Sequence, residues 1–163
     1  MKNIILIGMM GCGKTTVGKL LATRLGKPLV DTDALIEGQE GMTVPEIFET
    51  QGEAYFRALE TGVAQALSLR TDLIIACGGG LPLQKEAMAA LKESGRVFWL
   101  DRDPGEIFDT EDLSGRPLAQ EGRERFVALA RERRAVYEGW ADVTVTDFTS
   151  PVSTAARILE VVQ

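Results

Sequence analysis

Gly8-Met9-Met10-Gly11-Cys12-Gly13-Lys14-Thr15 fits the pattern Gly-x-x-x-x-Gly-Lys-Ser/Thr, and its fixed positions have mechanical reasons. Glycines let a loop turn successive backbone N–H groups toward an anion, and a helix beginning near Lys14 adds the positive end of its dipole. Lys14 can reach the β- and γ-phosphates of a nucleoside triphosphate, and the Thr15 hydroxyl can ligate Mg2+. These residues specify nucleotide binding but not its use, since kinases, switches and ATPases share such a loop.

Other candidates read as an acceptor side. Asp31-Thr32-Asp33 follows a short apolar segment. Residues i and i+2 of an extended chain face one way, so both carboxylates can enter one crevice, one near a metal's water shell and the other on an acceptor hydroxyl. Asp33 also stands just before a helical pattern, where an N-cap is the alternative role. Arg57 and Glu60 are spaced i, i+3 on one helical face, as a site pair or as a solvated surface pair. Gly78-Gly79-Gly80 allows close approach of backbone to a ligand, with a flexible turn as the alternative. Arg116-Pro117-Leu118 lies in a polar, aperiodic stretch, and Arg131, Arg133 and Arg134 precede Tyr137 further on. Cations gathered near a crevice of an acidic chain suit an anionic ligand, while a solvated helix face is the alternative for any one of them.

The elements that must position these residues are legible as alternating strands and helices. Apolar runs at 2–8, 29–31, 73–77, 97–100 and 142–146 predict five strands. Helical spacing or helix signals appear at 15–25, 34–40, 44–50, 52–69, 84–94, 103–109, 122–139 and 152–162, while 110–122 reads as a mobile surface loop. Such alternation implies an α/β fold with a parallel sheet and helices on both faces. At 163 residues the chain suits one domain, with no linker, repeat or low-complexity tract.

Composition removes several chemistries. The chain has no His, which excludes a Ser-His-Asp triad and a His general base. Its net charge of -6 argues against a general nucleic-acid or anionic-membrane partner. The N-terminal apolar run is interrupted by the glycine loop and reads as neither signal peptide nor membrane span. Two cysteines, Cys12 and Cys77, suit reduced thiols in a cytoplasmic protein. Cys12 lies near a helix N-terminus that can lower a thiol pKa, so thiol reagents are expected to inactivate the protein and ATP to protect it. An inert filler of the loop is the alternative.

In combination and order, these segments resemble the shikimate kinases. The likeness rests on the phosphate loop, Asp31-x-Asp33, Gly41 to Phe48 continuing to Gly52-Glu53, Phe56-Arg57-x-x-Glu60, Cys77 to Gly80, Gly115-Arg116-Pro117-Leu118, and Arg133-x-x-x-Tyr137 leading into Ala141-Asp142. The resemblance implies a three-layer P-loop kinase fold with sheet order 2-3-1-4-5. It implies a monomer that phosphorylates the 3-hydroxyl of shikimate with MgATP, a step toward aromatic amino acids. Gly11, Cys12, Gly13, Lys14, Thr15 and Thr16 would hold ATP, Thr15 would ligate Mg2+, and Asp31 would stand behind metal-bound water. Asp33 would take the acceptor hydroxyl in a region spanning about 33–60. Arg57, Gly79, Gly80 and Arg133 would grip the rest of shikimate, Arg133 being favoured over Arg134 by its spacing to Tyr137. Arg116 would arrive from a lid at about 110–122 to neutralise the transferred phosphoryl group, with Asp33, Lys14 and Arg116 as the catalytic set. Many members carry another arginine near the adenine shortly before the lid Arg-Pro-Leu. Here that neighbourhood is the acidic Phe108-Asp109-Thr110-Glu111-Asp112.

Overall fold

The unbroken apolar run after Asn3 forms a strand covered on both faces. This is β1 (Asn3–Ile7) in a computed structural model that describes residues 1–162, and Ile4 to Ile7 are all buried. Four more strands run parallel to it: β2 (Leu29–Asp31), β3 (Ile74–Ala76), β4 (Gly95–Leu100) and β5 (Val143–Val145). The sheet order is β2-β3-β1-β4-β5, as the resemblance implied. β4 begins two residues before the predicted start because Gly95 and Arg96 continue the ladder opposite Asn3 and Ile4.

Among the described residues, eight helices connect and cover the strands: α1 (Lys14–Leu25), α2 (Thr32–Glu40), α3 (Val44–Gln51), α4 (Glu53–Ser68), α5 (Lys85–Ser94), α6 (Pro104–Thr110), α7 (Arg123–Trp140) and α8 (Pro151–Val162). From β1 the chain crosses through α1 toward the β2 edge, and from β3 it crosses through α5 toward β4. Right-handed crossovers in opposite directions lie on opposite faces of a sheet. Accordingly α1 packs with α8, while α5 packs with α4 and against β1 and β4. The reversal opens a crevice at the carboxyl ends of β1 and β3, where α/β sheets bind ligands. The phosphate loop and Gly78 to Gly80 both emerge there.

Two local expectations change. The Asp31 side chain accepts from Ala34 N at 3.1 Å and caps α2, so Asp33 lies in the first helical turn and is not the cap. The segment from 111 to 122 is not wholly a surface loop: Leu113 and Ala119 are buried, and a short 3-10 turn spans Pro117–Ala119. No helix among the described residues is long and apolar enough to cross a membrane.

Candidate active site

Gly8, Gly11 and Gly13 have φ values of 149°, 81° and 106°, and this backbone conformation is what the loop needs glycine for. Lys14 is nearly buried, and its Nζ donates to Gly8 O at 2.8 Å and Met9 O at 2.9 Å, tying the start of the loop to the start of α1. Thr15 Oγ1 donates to Asp31 Oδ2 across 2.6 Å. The hydroxyl and the carboxylate expected beside a metal are therefore adjacent. Among the described residues no cluster of three or more His, Cys, Asp or Glu could hold a metal. One hydroxyl with one carboxylate suits Mg2+, which keeps most of its waters and takes phosphate oxygens.

Cys12 is 2% exposed, with its Sγ 3.7 Å from Lys14 Nζ. This burial favours the alternative of an inert filler of the loop, although Cys12 also lines a cavity beside it. On the far side of the loop from the acceptor residues, Gly13, Thr16 and Val17 line a cavity closed by Phe148 to Pro151. Arg102 also lines it, with Nη1 3.5 Å from Gly11 O, Nη2 3.1 Å from Glu106, and Nε buried without a partner. Sequence reasoning missed Arg102. The available signal was its position just past the carboxyl end of a central strand, where ligand crevices open.

The acceptor candidates converge on one cavity lined by Asp33, Arg57, Glu60, Gly79, Gly80, Arg116 and Arg133. α2 brings Asp33, and burial raises its pKa, with Arg116 pulling it back and Asp31 pushing it further up. α4 brings Arg57 and Glu60. Arg57 Nη1 donates to Glu60 Oε1 at 2.6 Å, and its guanidinium carbon lies 5.9 and 5.4 Å from the ring centres of Phe48 and Phe56. The pair is not a solvated surface pair, because Glu60 is fully buried. Burial raises the Glu60 pKa to about 7, and Arg57 only partly offsets it.

The triple glycine makes room for the site's own side chains. A Cβ on Gly78 would lie 2.5 Å from Asp33 Oδ1 and 3.0 Å from Glu60 Oε2, and one on Gly80 would lie 2.6 Å from both Nη atoms of Arg57.

Adjacent arginines of α7 part company, as about 100° of helical rotation per residue requires. Arg133 is 4% exposed and faces the acceptor cavity, with Nε and Nη1 buried and unbonded. Its charge is felt by the buried Glu60 carboxylate, whose Oε2 also lacks a hydrogen-bond partner, and a buried guanidinium left without hydrogen bonds is costly. Arg134 points elsewhere: it grips Asp101 through two bonds of 3.0 Å and stacks 4.8 Å from the Trp99 ring centre. Arg131 is exposed and lines the same outer groove as Arg134.

Arg116 stands where the two halves meet. Its Nη1 donates to Asp33 Oδ2, and it lines both the acceptor cavity and a small cleft shared with Lys14, Thr15 and Asp31.

A triphosphate-type loop on a 2-3-1-4-5 sheet, joined through one arginine to an acidic group and a basic acceptor cavity, defines a P-loop small-molecule kinase. The shikimate kinase family model matches residues 10–163, and the chain belongs to that family. It is accordingly an ATP-dependent kinase that acts on an alcohol acceptor. A shikimate kinase of Symbiobacterium thermophilum is 42% identical over 167 residues, covering 99% of this chain and 96% of the relative. Among solved structures, shikimate kinase from Acinetobacter baumannii in complex with shikimate superposes with TM-score 0.92 at 37% identity, over 99% of this chain and 93% of that one. Shikimate kinase from Aquifex aeolicus gives TM-score 0.83 at 38% identity, over 98% and 95%.

Proposed function

We propose that the chain transfers the γ-phosphoryl group of MgATP to the 3-hydroxyl of shikimate, giving shikimate 3-phosphate and ADP, on the way to aromatic amino acids. The observation that carries the acceptor class is Arg133, a buried guanidinium with two unbonded nitrogens, facing the cavity that also holds Arg57 and Asp33. A small carboxylic acid bearing hydroxyl groups satisfies both charges, because a guanidinium donates two parallel bonds to a carboxylate. The relative from Acinetobacter, solved with shikimate, supports the choice of acid.

In this reading Gly11 to Thr16 hold the phosphates, Lys14 meets the β- and γ-phosphates, and Thr15 and, through water, Asp31 would hold Mg2+. When bound, that ion would neutralise charge on the phosphate oxygens. Asp33 orients the acceptor hydroxyl. As the acceptor O–P bond forms and the bond to the β-phosphate oxygen breaks, the hydroxyl proton passes late to Asp33. Its burial-raised pKa favours that transfer. Phosphoryl transfer is largely dissociative, so positioning and charge neutralisation by Lys14 and Arg116 outweigh early proton removal. Residues 110–122 act as a lid that excludes water. The reading includes one domain over 1–163 acting as a cytoplasmic monomer, without nucleic-acid or membrane partners.

An ADP-release assay with MgATP, run without acceptor and with shikimate, gluconate or quinate, tests this. Turnover dependent on shikimate is expected, whereas turnover with gluconate alone leaves a P-loop kinase of different specificity. ATP binding with no turnover moves the protein to the switches.

A further inference from the structure

The Tyr137 hydroxyl donates to Gly79 O across 2.6 Å and lies 3.7 Å from Met9 Sδ, at the junction of the triglycine turn and the phosphate loop. It is the only donor to that carbonyl among the described residues. Tyr137 is 1% exposed, its ring centre is 6.0 Å from that of Trp99, and burial raises its pKa to about 12, so the phenol remains a donor. Four residues earlier on the same face of α7, Arg133 Nη1 would lie 3.4 Å from a Cβ on Gly79. One helix face therefore presents both a cation and a hydroxyl toward Gly79, and the hydroxyl is the one that bonds it.

The consequence follows from peptide planarity. All peptide bonds among the described residues are trans, so the C=O of Gly79 and the N–H of Gly80 point in opposite directions in one plane. Gly79 O is directed at Tyr137, which lies outside the acceptor cavity, whereas Gly79 and Gly80 line that cavity. The Gly80 N–H has no acceptor among the described residues. Glycine backbone is free to rotate, so without an anchor this peptide could turn its donor away.

We propose that Tyr137 is a positioning residue for the acceptor: its hydroxyl fixes the 79–80 peptide so that the Gly80 N–H donates to a hydroxyl or carboxylate oxygen of the bound acid. The inference rests on shikimate as the acceptor.

The test is Tyr137→Phe, which keeps the ring and its packing. Calorimetry and steady-state kinetics should show the Kd and KM for shikimate rising about 5- to 10-fold, the loss of one hydrogen bond, with kcat and the KM for ATP within about twofold. Among monodeoxy shikimate analogues and the methyl ester, the analogue lacking the oxygen that meets Gly80 should lose affinity in the wild type and little in the variant. In the wild type, the Gly80 amide proton resonance should move downfield on titration with shikimate, a readout independent of how the variant folds. Equal shikimate affinity in wild type and variant, or an unmoved Gly80 amide, overturns the positioning role alone. A wild type that does not bind shikimate overturns the acceptor assignment as well.

Discussion

Arg116 and Asp33, 83 residues apart in sequence, form an ion pair of 2.8 Å that joins the segment after α6 to the first turn of α2. The pair places the residue assigned to the acceptor proton against the residue assigned to the phosphoryl charge. An acceptor hydroxyl reaching Asp33 must share the carboxylate with Arg116, so acceptor binding and the placement of Arg116 are coupled.

Asp33→Asn keeps the shape and removes the proton acceptor. It should lower kcat by at least about 100-fold, the range of general-base contributions, while nucleotide affinity measured by fluorescence titration stays unchanged. Arg116→Ala should likewise lower kcat by about 100-fold or more with little change in either KM. A change confined to KM would place Arg116 in ground-state binding.

Arg133 and Arg134 offer an internal control. Arg133→Ala should raise the KM for shikimate by on the order of 100-fold, as expected for a lost charge-assisted pair, and Arg133→Lys should recover only part of this because an ammonium cannot make the forked contact. Arg134→Ala removes the exposed pair with Asp101 and should leave that KM nearly unaltered. Similar losses from both would contradict the orientation of α7.

Glu60 makes stability depend on pH in a definite direction. Its ordinary value is 4.5, and burial raises it to about 7 in the folded chain. Between these values the folded state holds a proton that the unfolded state has released, so this contribution to stability is present below about 4.5 and lost as pH rises toward 7. The raised Asp33 value acts in the same sense. Thermal unfolding of Glu60→Gln, compared with wild type at pH 5 and pH 8, should show a melting-temperature difference that shifts in favour of the variant at pH 8. A difference independent of pH would mean that Glu60 ionises normally.

Cys12 and Cys77 are both buried, and burial also pushes the Cys77 thiol up. A thiol titration with an aromatic disulfide should find almost no reaction in the folded protein and two equivalents in denaturant. Fast reaction of one equivalent without unfolding would show that the phosphate loop opens.

The strands and most helices are legible because β1, β3 and the 97–100 part of β4 are continuous apolar runs bounded by Gly or polar residues, and the phosphate loop carries its mechanism in its own residues. The cap of α2 falls on Asp31 and not on Asp33, the alternative the spacing allows, because Asp31 ends β2 and caps the helix at once, and local pattern cannot separate two acids in three residues. Spacing to Tyr137 favoured Arg133, yet only the rotation of α7 shows its neighbour paired with Asp101. The role of Gly78 was invisible for a different reason: the carboxylates it accommodates come from α2 and α4, and no local pattern encodes that meeting. Arg102 escaped notice because a lone arginine after a strand resembles any surface cation.

Identifying the product by phosphorus and proton NMR tests transfer to one hydroxyl of shikimate. One phosphomonoester on the 3-hydroxyl, formed in equal amount with ADP, is the predicted result. Inorganic phosphate as the main product, or phosphate on a different hydroxyl, would contradict the placement of the acceptor against Asp33.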